Sequence, residues 1–160
     1  MLADTHLSAS RAHEVVDVVG RDRLGSADVI LHAGDVVDAA VLEELAAFAP
    51  VHAVDGNNDR GLAVPETLEV DLGPIRVAMI HDSGPAGGRG RRLASRFPDA
   101  DVVVFGHSHL PWHEVHDVDG RPQHHVNPGS PTQRRRAPTR TVAWLDVSEH
   151  GRITVEHVDV

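Results

Sequence analysis

The 160-residue chain has no cysteine. It can therefore form neither disulfides nor thiolate metal sites, which excludes a zinc-finger-type module and suits a reducing cytoplasm. It has no lysine either: all 15 basic residues are arginine, a composition read as codon bias rather than chemistry. No apolar run approaches the roughly 20 residues of a membrane-spanning helix, and no charged-then-apolar leader precedes the first motif. Positive charge is in deficit, 15 basic against 24 acidic residues for a formal charge of -9. That balance argues against non-specific nucleic-acid binding, which needs a basic face. What remains is 41% hydrophobic and 24% charged, as in an ordinary soluble globular protein. The length suits one domain, residues 1–160, with a core that needs no staples. Thirteen histidines are many for this length, and they raise a metal hypothesis to be argued position by position.

The pattern along the chain is strand, helix, strand. Met1-Leu2-Ala3 is a short apolar lead-in to Asp4-Thr5-His6. Ser8 or Ser10 can cap a helix with Ala12, Val15, Val16 and Val19 on one face, ending near Gly20. Ala27–Leu31 reads as a strand running into His32-Ala33-Gly34-Asp35. Asp38 can cap a second helix that Pro50 closes, and Val51–Val54 is a third strand, ending at Asp55-Gly56-Asn57. This rhythm predicts βαβ units and a parallel sheet. The later half changes character. Leu68–Leu72 and Ile75–Ile80 flank a Gly73-Pro74 turn, and the second of these strands ends at His81. A glycine-rich loop leads to a short helix around Leu93 and Phe97. Hairpins then follow at Trp112–Val126, around Asp119-Gly120, and at Thr141–Val158. The fold class is thus α/β, with a parallel first half and a largely antiparallel second half.

Between these halves lies Val102-Val-Val-Phe-Gly106-His107-Ser-His109. A buried strand stops at glycine and presents two histidines spaced i, i+2, where neutral imidazoles can act as metal ligands. Asp4 and His6, Asp35, Asn57, His81, and His107 with His109 all follow strand ends. In open α/β sheets, ligands bind beyond the carboxyl ends of the strands. Seven N/O donors are too many for one catalytic cation and suit two. With Asp35 bridging, each metal receives four protein ligands and keeps room for water and substrate. Two divalent cations, two carboxylates and a bridging hydroxide leave about one positive charge, which suits a phosphate ester. Imidazole and oxygen ligands without sulfur point to Mn, Fe, Zn, Ni or Co rather than Mg or Ca.

Asp4-x-His6, Gly34-Asp35, Gly56-Asn57, His81 and Gly106-His-x-His109 resemble the ordered signature of the calcineurin-like metallophosphoesterases. Within that superfamily the chain is most similar to the small bacterial and archaeal phosphodiesterase branch, which includes the related retromer subunit. Asn127-Pro-Gly-Ser130 with its following arginine-rich loop adds to the resemblance. The resemblance implies a single-domain αββα sandwich with a dimetal site on its rim. It assigns Asp4, His6, Asp35 and His109 to one metal, and Asp35, Asn57, His81 and His107 to the other. Asp35, Asn57 and His107 are the catalytic candidates, and manganese is the favoured ion.

Three positions depart from the family pattern. Asn58 stands where the wider family often has a histidine that serves the reacting phosphate, so a general acid is missing. Asp82 follows His81 where glycine is usual; it reads either as a partner orienting an imidazole or as a loop aspartate. The first strand is shorter than the family's, and a version extended upstream is expected to melt at a higher temperature. Of the remaining histidines, His13, His32, His52 and His150 read as structural. His113, His116, His124 and His125 read as solvated or cross-strand residues. Arg134, Arg135, Arg136 and Arg140 form either a solvated loop or a positive wall beside the site, with Arg134 the substrate-binding candidate. Arg89, Arg91 and Arg92 begin a helix after glycines, where phosphate can bind, which makes Arg89 a second candidate.

The expected function is a dimetal phosphohydrolase acting on a small phosphate ester, with phosphodiesters favoured and a metal-bridging hydroxide as nucleophile. The alternatives are a non-catalytic binding module on the same fold and a phosphomonoesterase. The expected location is the cytoplasm, with no membrane partner. Oligomeric state, a homo-oligomer included, stays open.

Overall fold

The computed structural model describes residues 1–160. A 3-10 turn at Ala9–Arg11 precedes α1 (Glu14–Val19) and α2 (Arg21–Gly25), followed by β1 (Ile30–His32), α3 (Ala39–Ala46) and β2 (Val51–Ala53). The later half holds β3 (Thr67–Leu72), β4 (Ile75–Ile80), α4 (Arg89–Arg96), β5 (Val102–Val104), β6 (Trp112–Val118), β7 (Arg121–Asn127), β8 (Thr141–Val147) and β9 (Ile153–Asp159).

The two-residue period of the strands sorts their side chains into three apolar clusters. In β5, Val102 and Val104 enter one cluster and Val103 the opposite one; in β4, Val77 and Met79 part from Ala78 in the same way. In β1, Ile30 packs with Val15, Val16, Val41 and Leu45 of α1 and α3, while Leu31 turns to the cluster between the sheets. Ala78, Val103 and Phe105 pack on Leu93 and Phe97 of α4. Helices, sheet, sheet and helix follow one another as an αββα sandwich. No helix is long and apolar enough to cross a membrane.

The larger sheet has the order β3-β4-β5-β7-β6. Its hairpins β3–β4 and β6–β7 are antiparallel, but β5 runs parallel to both β4 and β7. Helix α4 supplies the crossover that a parallel β4–β5 pair requires. Asp119 and Gly120 at the β6–β7 turn both have positive φ, 53° and 82°, as a type I′ turn demands. The smaller sheet is split into the parallel pair β1–β2 and the antiparallel pair β8–β9. Met1–Ala3 stitch the two together: Leu2 N–H donates to Leu31 O, and Met1 and Ala143 exchange two backbone hydrogen bonds. Beyond Met1, a cavity of about 720 Å³ separates Asp28–Leu31 from Leu145–Ser148.

Two local expectations change. The first helix is not capped by Ser8 or Ser10, whose hydroxyls contact each other at 3.2 Å. It ends at Gly20, with φ 95°, and a separate α2 follows, in which only Leu24 is buried. A helix burying one side chain leaves no apolar periodicity to read. By contrast, the Asp38 cap forms as expected, its carboxylate accepting from Ala40 N–H at 3.1 Å.

Candidate metal centre

Each strand that ends at the rim hands its chain to a sharply turned loop. Asp4, His6, Asp35, His107 and His109 all have left-handed backbones, with φ of 55°, 47°, 56°, 68° and 59°. Side chains with a Cβ occupy this region at a cost, which surrounding structure must offset. Here it is offset by backbone bonds between neighbouring loops: Asp4 N–H to Gly34 O, His6 N–H to Asp35 O, and Gly106 N–H to His81 O. The Asn127–Ser130 segment fastens the same loops. Asn127 Nδ2 donates to Gly106 O and Ser130 Oγ to Asp4 O, each at 2.8 Å.

The structure brings the seven expected donors together. His6 Nε2 lies 3.2 Å from His109 Nε2 and 3.9 Å from Asp4 Oδ1, and His109 Nε2 lies 3.3 Å from Asp4 Oδ1. On the other side, Asn57 Oδ1 is 3.1 Å from His81 Nε2 and 2.9 Å from His107 Nδ1. Asp35 Oδ2 stands between the two halves, 3.4 Å from His6 Nε2 and 3.4 Å from His81 Nε2. Asp4, His6 and His109 form one cation-competent group, and Asp4, Asp35 and His81 form a second.

Hydrogen bonds outside the cluster fix which imidazole nitrogens face inward. His81 Nδ1–H donates to Ala33 O at 2.8 Å, and His109 Nδ1–H donates to Gln133 O at 2.5 Å. A carbonyl can only accept, so each ring carries a proton on Nδ1 and turns its Nε2 toward the carboxylates. Burial lowers the His109 pKa to about 4, so this ring is neutral at neutral pH, and burial lowers that of His6 as well. Asp4 is fully buried, and neither of its oxygens has a hydrogen-bond donor. Burial pushes its carboxyl up to about 7. Lone pairs of imidazole and carboxylate facing one another across about 3.3 Å repel unless positive charge lies between them. The donor set therefore fits divalent cations. Burial would also raise Asp35, but hydrogen bonds from His81 and Asn58 outweigh it and hold this carboxyl well below the usual range. Burial opposes charge on His81 as well, yet its contacts with Asp35 and Ala33 raise its pKa overall.

The two arginine candidates sit differently. Arg134 Nη1 donates to Ala137 O within its own loop. The Arg89 guanidinium lies over the Phe105 and Trp112 rings, 5.0 and 5.3 Å from their centroids. Arg92 serves the glycine-rich loop, donating to Gly87 O, Ser83 O and Pro85 O. Arg135 emerges instead: it follows the Gln133 contact to His109, and its charge acts on Asp4, His6 and His109. Asp82 is a loop aspartate whose carboxylate accepts from Gly84 N–H at 2.7 Å. His32 is structural, its Nε2 meeting Thr5 Oγ1 at 3.1 Å in the core.

Known proteins resemble this chain in sequence and in fold. A relative from Methanothermobacter thermautotrophicus, described as "Probable metallophosphoesterase", is 36% identical over 142 residues, covering 84% of this chain and 77% of the relative. The crystal structure of wild-type Vps29 complexed with Zn2+ from Entamoeba histolytica matches with a TM-score of 0.70 at 22% identity, over 99% of this chain and 96% of that one. A structure described as a novel archaeal phosphodiesterase matches with a TM-score of 0.66 at 20% identity, over 98% and 97% of the two chains. The family model for the calcineurin-like phosphoesterase superfamily domain matches residues 1–150, and the chain belongs to that superfamily.

Proposed function

We propose that the protein is a phosphodiesterase holding two divalent cations. One is held by Asp4, His6, Asp35 and His109, and the other by Asp35, Asn57, His81 and His107. The observation that carries this reading is the place of Asp35 Oδ2, equally distant at 3.4 Å from histidines of both groups. When bound, such cations lower the pKa of water and offset charge growing on the reacting phosphate. The chain's own part is to hold seven donors in place and to leave the rim open. His107 is exposed, whereas Asp4, Asp35, His81 and His109 are buried, so an anionic ester approaches from the His107 side. Two dications against two carboxylates leave net positive charge, and the Arg135 loop adds to it. Manganese suits the donor set, and Fe, Zn, Ni and Co are also accommodated.

What Asn58 cannot do bears on the leaving group. It has no titratable proton, and its amide already donates to Asp35 Oδ2 at 2.7 Å. A leaving group must then depart without a proton from this position, which favours a good or cation-assisted leaving group. The preference for diesters rests on a structural neighbour described as a phosphodiesterase. The competing idea of a non-catalytic binding module draws little support: the large apolar side chains exposed are Leu110 and Val115, and all seven donors are present.

The test is a panel of matched aryl phosphate mono- and diesters with each of the five metals. The expected result is manganese-stimulated turnover with a higher kcat/KM on the diester. A monoester preference would reassign the substrate, and no turnover with any metal would leave the binding module standing.

A further inference from the structure

Asp35 is gripped at both ends by one short turn, and the metal ligands do not account for that grip. Asn58 holds the carboxylate at two points, its N–H donating to Oδ1 at 2.8 Å and its Nδ2 to Oδ2 at 2.7 Å. Asp59 holds the backbone. Its carboxylate accepts from Asp35 N–H at 3.0 Å, from Val37 N–H at 2.6 Å and from Gly56 N–H at 2.8 Å. Except for the Gly56 bond, which lies within the turn itself, these bonds cross from the loop after β2 to the loop after β1, more than 20 residues apart in sequence. Val37 is a β-branched residue at φ 81°, a strained conformation that neighbours must enforce. A short, charge-assisted hydrogen bond from its own N–H is such an enforcement. Gly56 completes the mould: a Cβ there would fall 2.1 Å from Asp35 N and 2.4 Å from Asp35 Oδ1. The turn presses against Asp35 so closely that only glycine fits.

We propose that Asn58 and Asp59 are positioning residues for Asp35, Asn58 setting the direction of its carboxylate and Asp59 the backbone of its loop. The proposal rests on the reading of Asp35 as a shared cation ligand and goes beyond it. A carboxylate that would serve two cations has to keep its oxygens in a fixed direction, and free rotation about its side chain would lose that direction. Asn58 fixes both oxygens at once. The residue in the position of a family proton donor is thus given a different task here: it anchors a ligand instead of serving the phosphate. Partners of this kind that orient ligands are worth about 10–100-fold in metal affinity.

The experiment is Co(II) titration of EDTA-treated protein, read by visible absorption and calorimetry. It compares wild type with Asn58→Ala and Asp59→Asn, alongside the melting temperature of each metal-free protein. Wild type is expected to take up two ions per chain. Both variants should bind the weaker ion at least tenfold less tightly, with an altered cobalt band, while metal-free Asn58→Ala melts within a few degrees of wild type. Should Asp59→Asn not fold, Asn58→Ala decides the question alone. Two ions in wild type, with unchanged affinity and band in a folded variant, would overturn the proposal and leave the dimetal reading intact. Wild-type cobalt affinity in Asn58→Ala, with a KM for the diester raised tenfold, would make Asn58 a substrate contact and also overturn it. No cobalt uptake by wild type would defeat the dimetal reading itself and take the proposal with it.

Discussion

The molecule carries two crowds of histidine, and they behave in opposite ways. On the rim, His6 and His109 oppose their Nε2 atoms at 3.2 Å; on the β6–β7 hairpin, His113 Nε2 and His124 Nδ1 oppose at 3.0 Å. Burial lowers both His109 and the hairpin residue His125 to about 4. The difference lies in what surrounds them. On the hairpin, His113 and His124 satisfy each other and His125 Nε2 meets Gln123 Oε1 at 2.6 Å. On the rim, backbone carbonyls take the outer protons, and the inner nitrogens face carboxylates, one of which has no donor at all. Proximity of imidazoles does not make a metal site; buried carboxylates facing inward-turned imidazole nitrogens suit one.

The largest break in this comparison is Asp35→Ala. It removes the carboxylate that stands 3.4 Å from both His6 and His81, so kcat/KM on an aryl phosphodiester should fall by on the order of 10³-fold or more, about 4 kcal/mol. Steady-state assays with manganese check this, and wild-type turnover in the variant would contradict it.

Asp4→Asn gives a smaller effect whose sign depends on pH. The folded-state pKa of Asp4 is raised to about 7, so its contribution to stability is present below the unfolded value and is lost as pH rises from about 4 to 7. Metal-free wild type at pH 8 therefore bears the full burial cost of the charge. Asp4→Asn should be more stable there by about 2–4 kcal/mol, with the gap closing toward pH 4. His109 and His125 shift the opposite way but are common to both proteins, so they cancel in the difference. Manganese should reverse the order by stabilising wild type far more than the variant. Thermal melts across pH, with and without manganese, test this; a gap that does not change with pH would contradict it.

The smallest effect sharpens the other side. His113→Asn with His124→Asn removes an exposed imidazole pair, and should leave activity within about twofold and stability within about 1 kcal/mol. A large loss of manganese-dependent turnover would show that the two histidine clusters are not separate.

The contrast also explains what could be read in advance. The seven rim donors were legible because each follows an apolar strand, and a parallel sheet collects such ends on one side. The hairpin histidines were separable because they lie within alternating strands. Asn58 and Asp59 could not be assigned their task, since their hydrogen bonds reach Asp35 and Val37 across the fold, and no local pattern records them. The left-handed backbones at the rim were equally silent, because aspartate and histidine in that conformation carry no mark comparable to glycine. Arg134 and Arg135 are neighbours of one residue type, and only the path of the loop past His109 tells them apart.

The most direct measurement is the metal content of EDTA-stripped protein reloaded with manganese, counted by mass spectrometry. The account predicts two ions per chain in wild type and in the His113/His124 double variant, and one or none in Asp35→Ala. A wild-type count below two, or a count that falls with the hairpin histidines instead of Asp35, would contradict it.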